Sequence, residues 1–247
     1  MQAASLFTGM AGLQAITARM EAVASNLANQ QTPGYAAVQA MTEAAGYQGP
    51  DAPAGADAVA LTPGPDVTQG SLNHTGDPMD VALGGDAWLE VQTDAGPALT
   101  RDGSLALSSA GILTNSAGNP VLGVGGQPIS LPSLAKLEIG SDGTVSGIPA
   151  ATPGGPAQVY GQISLVGTPA GTLTPLSGTL YSPPPGAALT APANGSLHQG
   201  YLNSSNVDPT QSMMEMIADS RSYQLQTDLM KTQSGSDQNL NALLSQG

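Results

Sequence analysis

Residues 6–27 read LFTGMAGLQAITARMEAVASNL, and their spacing decides the fold. Leu6, Leu13, Met20 and Leu27 recur every seven positions, with Ile16 and Val23 repeating at the three-residue offset. This is the narrow a/d seam of a helix that pairs with another helix, without the broad apolar face of one laid on a globular core. Gly9 and Gly12 weaken the first turns, the alanines between 11 and 28 support the rest, and Thr32-Pro33-Gly34 breaks the pattern. The spacing predicts a helix over 3–31.

The other end of the chain repeats the theme. Asp208 stands where an N-cap is wanted and Pro209 at the first helical position. From there Met216, Tyr223, Met230 and Leu244 share one heptad position and Met213, Ser220 and Thr227 the other, with Ile217 adjoining the seam. This predicts a helix over 209–244 whose stripe is half polar. At about 1.5 Å per residue each helix is roughly 40–50 Å long, with a stripe too narrow for a globular core and too apolar for water. Periodicity alone reads as ordinary intramolecular packing. The alternative pairs the two helices with each other and with those of neighbouring copies, and a head-to-tail interface that does not close generates a helical filament.

Between the helices the texture changes twice. Residues 42–66, TEAAGYQGPDAPAGADAVALTPGPD, mix Gly, Pro and Ala with little periodicity and read as an extended or mobile connector. From about 67 onward, short runs of Val, Leu, Ile and Thr alternate with the turn dipeptides Asp102-Gly103, Asn119-Pro120 and Asp142-Gly143. Strands are expected at 87–92, 104–107, 135–139 and 159–166, in an antiparallel β domain with a core of Val, Leu and Ile. Pro/Gly stretches at 149–158 and 182–195 read as long surface loops.

Composition excludes several functions. Eighteen acidic against five scattered basic residues give a net charge of −13, so no basic patch exists to neutralise the phosphates of nucleic acid or an anionic lipid surface. With no cysteine there is no disulfide, thiol nucleophile or thiolate metal site. No apolar run is long enough to span a membrane, and the N-terminus lacks the basic and apolar segments of a cleaved secretory signal. His74 and His198 have no second ligand at metal spacing, and Asp77, Asp80 and Asp86 lack the spacing of a calcium loop. Gly123-Val124-Gly125-Gly126 has no Lys-Ser/Thr after it and reads as a turn, so no cofactor, metal or catalytic site is expected.

Three motifs carry a resemblance. SNLANQQTPGY at 25–35 is similar to the sequence that closes the first helix of flagellar axial proteins, the rod, hook and hook-associated proteins. Its matching positions are Asn26, Leu27, Ala28, Asn29, Thr32, Gly34 and Tyr35. GSLNHTGDPMDVALGGD at 70–86, followed by LTRDGS at 99–104 and Leu113-Thr114, resembles the same family's central signature. GYLNSSNVD at 200–208, with Ser205, Asn206 and Val207, then MMEMI at 213–217 and RSYQ at 221–224, resembles its C-terminal signature. GNPVLGVGGQPI at 118–129 looks most like proximal rod members, with distal rod members the rival. The chain departs from the family at Ala24-Ser25, Ala36, Asn203 and Trp88-Leu89.

The resemblance implies a structural, non-enzymatic subunit of the basal-body rod in the periplasm, exported by the flagellar type III apparatus without a cleaved signal. Its implied partners are further copies of itself and other rod subunits. Free subunits of such proteins are expected to keep their termini disordered until they add to the rod, and the helical stripes then read as intersubunit seams. The expected fold is mainly β with long α-helical termini: 1–41 plus 203–247 as a coiled-coil assembly domain, 42–66 as connector, and 67–202 as an antiparallel β-rich outer domain with Gly/Pro-rich turns. Outside the family, the competing reading is a carbohydrate- or peptide-binding β module whose helices merely dimerise it.

Overall fold

The computed structural model describes residues 2–46, 57–167, 173–184, 186 and 189–244, with the backbone alone for 2–8, 40–46, 57–63 and 233–244. Two helices bracket the chain, α1 at Gln2–Ala28 and α2 at Pro209–Leu244. The first stops three residues short of its predicted end because the chain turns there: the Thr32 amide donates to Asn29 O at 3.1 Å and the Tyr35 amide to Thr32 O at 3.3 Å. The second begins where the cap chemistry dictates. Asp208 Oδ1 accepts from the amides of Thr210 and Gln211 at 2.8 and 3.2 Å, satisfying two donors that the first helical turn leaves free.

Within the expected 42–66 connector the extended backbone is paired: strand β1, Val38–Gly46, and strand β2, Asp57–Pro65, form a two-stranded sheet on either side of residues 47–56, which lie outside the described ones. Frequent Gly and Pro masked the signal, although Val59 and Leu61 alternate with Ala58, Ala60 and Thr62 as a strand requires.

By contacts the chain forms two compact units: Met1–Leu27, Gln39–Pro63 and Asp208–Gly247 in one, Ala28–Val38 and Gly64–Val207 in the other. The segment after α1 therefore groups with the strands, and the β1–β2 pair with the helices.

The second unit is antiparallel throughout. Its strands are β3 (Leu72–His74), β4 (Val81–Gly84), β5 (Ala87–Thr93), β6 (Gly96–Thr100), β7 (Leu105–Leu107), β8 (Leu113–Asn115), β9 (Leu134–Ile139) and β10 (Thr144–Pro149). There follow β11 (Gln158–Gln162), β12 (Leu165–Gly167), β13 (Thr174–Ser177), β14 (Leu180–Ser182), β15 (Ser196–Gln199) and β16 (Tyr201–Asn203). A five-stranded sheet in the order β12-β5-β6-β14-β13 and a three-stranded sheet β11-β10-β9 are joined by the ribbons β15-β4, β16-β3 and β7-β8. The strand expected at 159–166 is two strands. Its first half pairs with β10 and its second with β5, so the chain changes sheets at Ile163-Ser164, where Ile163 is buried and Ser164 Oγ donates to Glu90 Oε2 at 2.8 Å.

The five-stranded sheet is covered on both faces. Along β5, Ala87, Leu89 and Val91 enter a large cluster of Val, Leu, Ile and Ala residues, whereas Trp88 points the other way into a second cluster with Leu99, Val166, Leu173, Tyr181 and Ala36. Alternate residues of a strand face opposite sides, which is how one strand feeds two cores. The expectation of an aliphatic core describes the first cluster. The second is built on an edge-to-face aromatic pair, Trp88 and Tyr181, with ring centroids 5.2 Å apart.

Candidate functional site

In the helical unit, α1 and α2 lie antiparallel. Arg19 reaches Asp219, a Cβ at Gly12 would lie 3.4 Å from Gln226 Nε2, and one at Gly9 would lie 3.6 Å from Met230 Cγ. Each step forward along α1 is thus matched by a step back along α2. Gln226 Nε2 also donates to Gly9 O at 3.4 Å.

The seam residues of α1 are covered: Val23 is buried, and Leu13, Ile16, Met20 and Leu27 are half-buried. Those of α2 divide. Met216 and Met230 are half-buried toward α1, alongside buried Ser212 and Asp219 and half-buried Ser220, Gln226 and Thr227. Met213, Ile217 and Tyr223 are exposed, and the side chains of Leu6 and Leu244 lie outside the described ones. The face of α2 turned from α1 carries Met214, Ile217, Leu225 and Leu229 at 61%, 55%, 66% and 65% exposure. The inner face of this helix sets Met216 and Met230 among polar residues, and its outer face leaves four large apolar side chains exposed beside Arg221 and Asp228. Heptad counting from Met216 found the inner phase but did not select Met214, Leu225 and Leu229. Their recurrence at intervals of eleven and four is the signal that could have found them.

In the β unit the N- and C-terminal motifs meet in a knot. Gly34 adopts φ +69°, a conformation that side chains resist, and its amide donates to Asn203 O at 2.8 Å; a Cβ there would overlap the Arg101 carbonyl oxygen. Asn206 ties three strands of chain together: its Oδ1 accepts from the Ala37 amide at 2.7 Å, and its Nδ2 donates to Asp66 O and Thr68 O, both at 2.9 Å. Asn203, which departs from the family pattern, uses its side chain like a backbone unit, accepting from the Leu83 amide at 2.7 Å and donating to Leu83 O at 3.1 Å. In the same unit, Thr32 Oγ1 donates to Asn29 Oδ1 at 3.2 Å, Ser205 Oγ accepts from the Val207 amide at 3.3 Å, and Tyr35 is buried; Asn26, in the helical unit, is buried as well.

Arg101 anchors the knot from within. Its two terminal nitrogens donate to Val67 O at 2.7 Å and Gly85 O at 2.8 Å, and its guanidinium lies 4.8 Å from the Trp88 ring centroid. Burial pulls this guanidinium below its ordinary pKa, opposed by the charge of Asp86. Tyr181 donates to Ala36 O at 2.9 Å, and burial pushes its phenol up. Neighbouring Asp102, also buried, accepts from the Ser104 amide at 3.0 Å and from Ser116 Oγ; desolvation raises its pKa more than these bonds lower it. These groups bind one another and backbone, an arrangement that fixes chain paths. The crevice bordered by 34–36, 68–70, 101 and 203–204 holds about 10 Å³, room for one water molecule. Both histidines are exposed, His74 against the ring of Tyr201 and His198 3.4 Å from Ser196 Oγ. Among the described residues no three His, Asp or Glu side chains group as metal ligands, and no helix is long and apolar enough to cross a membrane.

Comparison with known proteins gives this arrangement a family. Three family models match in chain order: "Flagella basal body rod protein" over 6–35, "Flagellar hook protein FlgE/F/G D1 domain" over 82–147, and "Flagellar basal body rod FlgEFG protein C-terminal" over 198–243. The chain is 32% identical to the flagellar basal-body rod protein FlgF of Salmonella typhimurium strain LT2, and 32% identical to FlgF of Escherichia coli strain K12, in each case over 98% of both chains. It is 29% identical to the flagellar basal-body rod protein FlgG of Bacillus subtilis strain 168, over 92% of this chain and 94% of that one. With its helix-closing motif, its central strands and its C-terminal helix all matched in order, the chain belongs to the flagellar basal-body rod proteins, a structural family, and within it the FlgF reading is preferred to FlgG.

Proposed function

We propose that this chain builds the proximal part of the rod by helical polymerisation through its terminal helices, with the β unit making lateral contacts. One observation carries the reading: Met214, Ile217, Leu225 and Leu229 are exposed on the outer face of α2, while its inner face sets Asp219, Ser212 and Gln226 beside Met216 and Met230. Leaving this stripe in water is unfavourable by roughly 25 cal/mol for each Å² of apolar surface, and neighbouring helices relieve that cost. The Leu13, Ile16 and Met20 side of α1, half-buried already, closes against the same neighbours to complete a coiled-coil seam. The role is mechanical, the transmission of torque, with no catalysis and no cofactor.

The same reading places the subunit in the periplasmic rod, delivered by the flagellar type III apparatus with its N-terminus retained, in contact with copies of itself and other rod subunits. Nucleic acid is no partner, since the charge is −13. The termini order on addition to the rod, so amide exchange in the purified monomer should be fast over 3–31 and 209–244; uniform protection there would sink ordering on assembly. The stripe itself is tested with full-length Ile217→Asp/Leu225→Asp expressed in a strain lacking the native subunit. The expected result is loss of swimming and of the subunit from isolated basal bodies, with thermal unfolding of the β unit unchanged. Normal swimming would remove the stripe from the interface.

A further inference from the structure

The seam between α1 and α2 has little to fix its register. Gly9 and Gly12 present no side chain to α2, Gln226 presents a polar group to α1, and half-buried Thr227 donates its hydroxyl to Tyr223 O of its own helix. The apolar side chains in the seam are, apart from buried Val23, only half-buried, and those of Met20, Met216 and Met230 are pliant, so they specify register weakly. One contact differs. Arg19 holds Asp219 with two nitrogens, Nε at 3.0 and 3.2 Å from the carboxylate oxygens and a terminal nitrogen at 2.6 Å, the forked geometry in which guanidinium recognises carboxylate. The Asp219 side chain is 3% exposed and that of Arg19 55%, so the anion is enclosed and the cation closes over it from the rim.

We infer that Arg19 and Asp219 are a positioning pair that sets the register of the terminal helices, selecting one alignment of α1 against α2. Arg19 is the one basic residue of α1, so a slipped helix would bring Ala15 or Val23 toward Asp219 and leave an enclosed carboxylate without a cation. Glu215, one turn away on α2, is exposed and adds only a distant attraction to Arg19. A slip that moved Arg19 to Glu215 would exchange an enclosed partner for a solvated one. The register in turn fixes which part of α1 flanks the Met214–Leu229 stripe. In that consequence the pin deepens the polymerisation reading; in itself it does not depend on it.

The chain contains no cysteine, which makes the register directly readable. Full-length chains carrying Gly12→Cys with Gln226→Cys, Ser222→Cys or Met230→Cys report the present alignment and a slip of one turn in either direction. In isolated basal bodies the 12–226 disulfide should form about tenfold faster than the other two, because thiols one turn out of place miss the bonding distance. With Arg19→Gln the preference should fall to within about threefold, and Arg19→Asp/Asp219→Arg should restore it. If Arg19→Gln keeps the chain out of basal bodies, restored incorporation in the exchanged pair supports the pin, and continued absence overturns it. A tenfold preference persisting in Arg19→Gln also overturns it. Failure of the polymerisation reading looks different: the parent chain would itself be missing from basal bodies.

Discussion

The two units of this chain put their apolar residues in opposite places. In the β unit, Trp88, Leu89, Val91 and Leu99 are fully buried, and what remains polar inside, such as Asn203 and most of Arg101, is bonded to backbone. In the helical unit, Asp219, Ser220 and Gln226 face inward while Met214, Leu225 and Leu229 face out. A sheet covered on both faces is complete in one copy, whereas α2 leaves Met214, Leu225 and Leu229 uncovered within one copy, as the assembly reading requires. The contrast breaks first at matched leucines. Leu89→Ala should destabilise the purified full-length chain by about 2–5 kcal/mol in denaturant unfolding, the usual cost of a cavity in a closed core. Leu225→Ala should stay within about 0.5 kcal/mol of the parent and yet reduce incorporation into basal bodies. Equal losses of stability in the two variants would mean that α2 is as closed as β5.

A smaller effect tests whether the helix-closing motif is part of the half complete in one copy. Gly34 needs its φ of +69°, and a Cβ there overlaps the Arg101 carbonyl. Gly34→Ala should therefore cost about 2–3 kcal/mol, combining strain with displacement of a packed backbone. Thermal unfolding of the β unit reads the loss. If only assembly suffers and unfolding does not move, the motif serves the helices instead of the knot.

Asp102 sharpens the same half by pH. Its folded pKa is raised, chiefly by desolvation and also by the charge of Asp80, so the protonated form is favoured in the folded state. Its contribution is full below the pKa of an unfolded aspartate and is lost as pH rises through the folded value. In Asp102→Asn that decline should vanish, leaving a flatter stability curve just above the ordinary carboxylate range. Chemical denaturation at a series of pH values checks it, and an unchanged slope would assign the decline to another group.

Much of this contrast was legible in the sequence. The seven-residue recurrence of Leu13, Met20 and Leu27 placed α1, Asp208-Pro209 placed the start of α2, and the run from 87 onward placed β5. These signals are local, and local chemistry decides them. What the sequence hid was non-local. Nothing near Trp88 says that Tyr181, far along the chain, completes its pocket, and nothing near Asn206 says that Ala37 and Thr68 are its partners. The sheet switch at Ile163 was equally hidden, because a bent strand and a straight one share the same alternation. On α2 a single heptad phase follows the side turned to α1 and passes over exposed Leu225 and Leu229.

The smallest effect probes the helical unit at Gly12. A Cβ there would sit 3.4 Å from Gln226 Nε2, the movable end of a long side chain, so within one copy the position accepts alanine. Helix propensity then favours Gly12→Ala by about 0.5–1 kcal/mol, because glycine loses more backbone freedom on folding. If α1 meets nothing but α2, the variant should have faster or unchanged assembly and, by circular dichroism, a little more helix at low temperature. If a neighbouring copy approaches at Gly12, the added methyl should slow incorporation into basal bodies while helicity still rises. The two readouts moving in opposite directions would place a second subunit against the glycine face of α1, opposite in chemistry to the methionine and leucine stripe of α2, and give the rod interface its two non-identical sides.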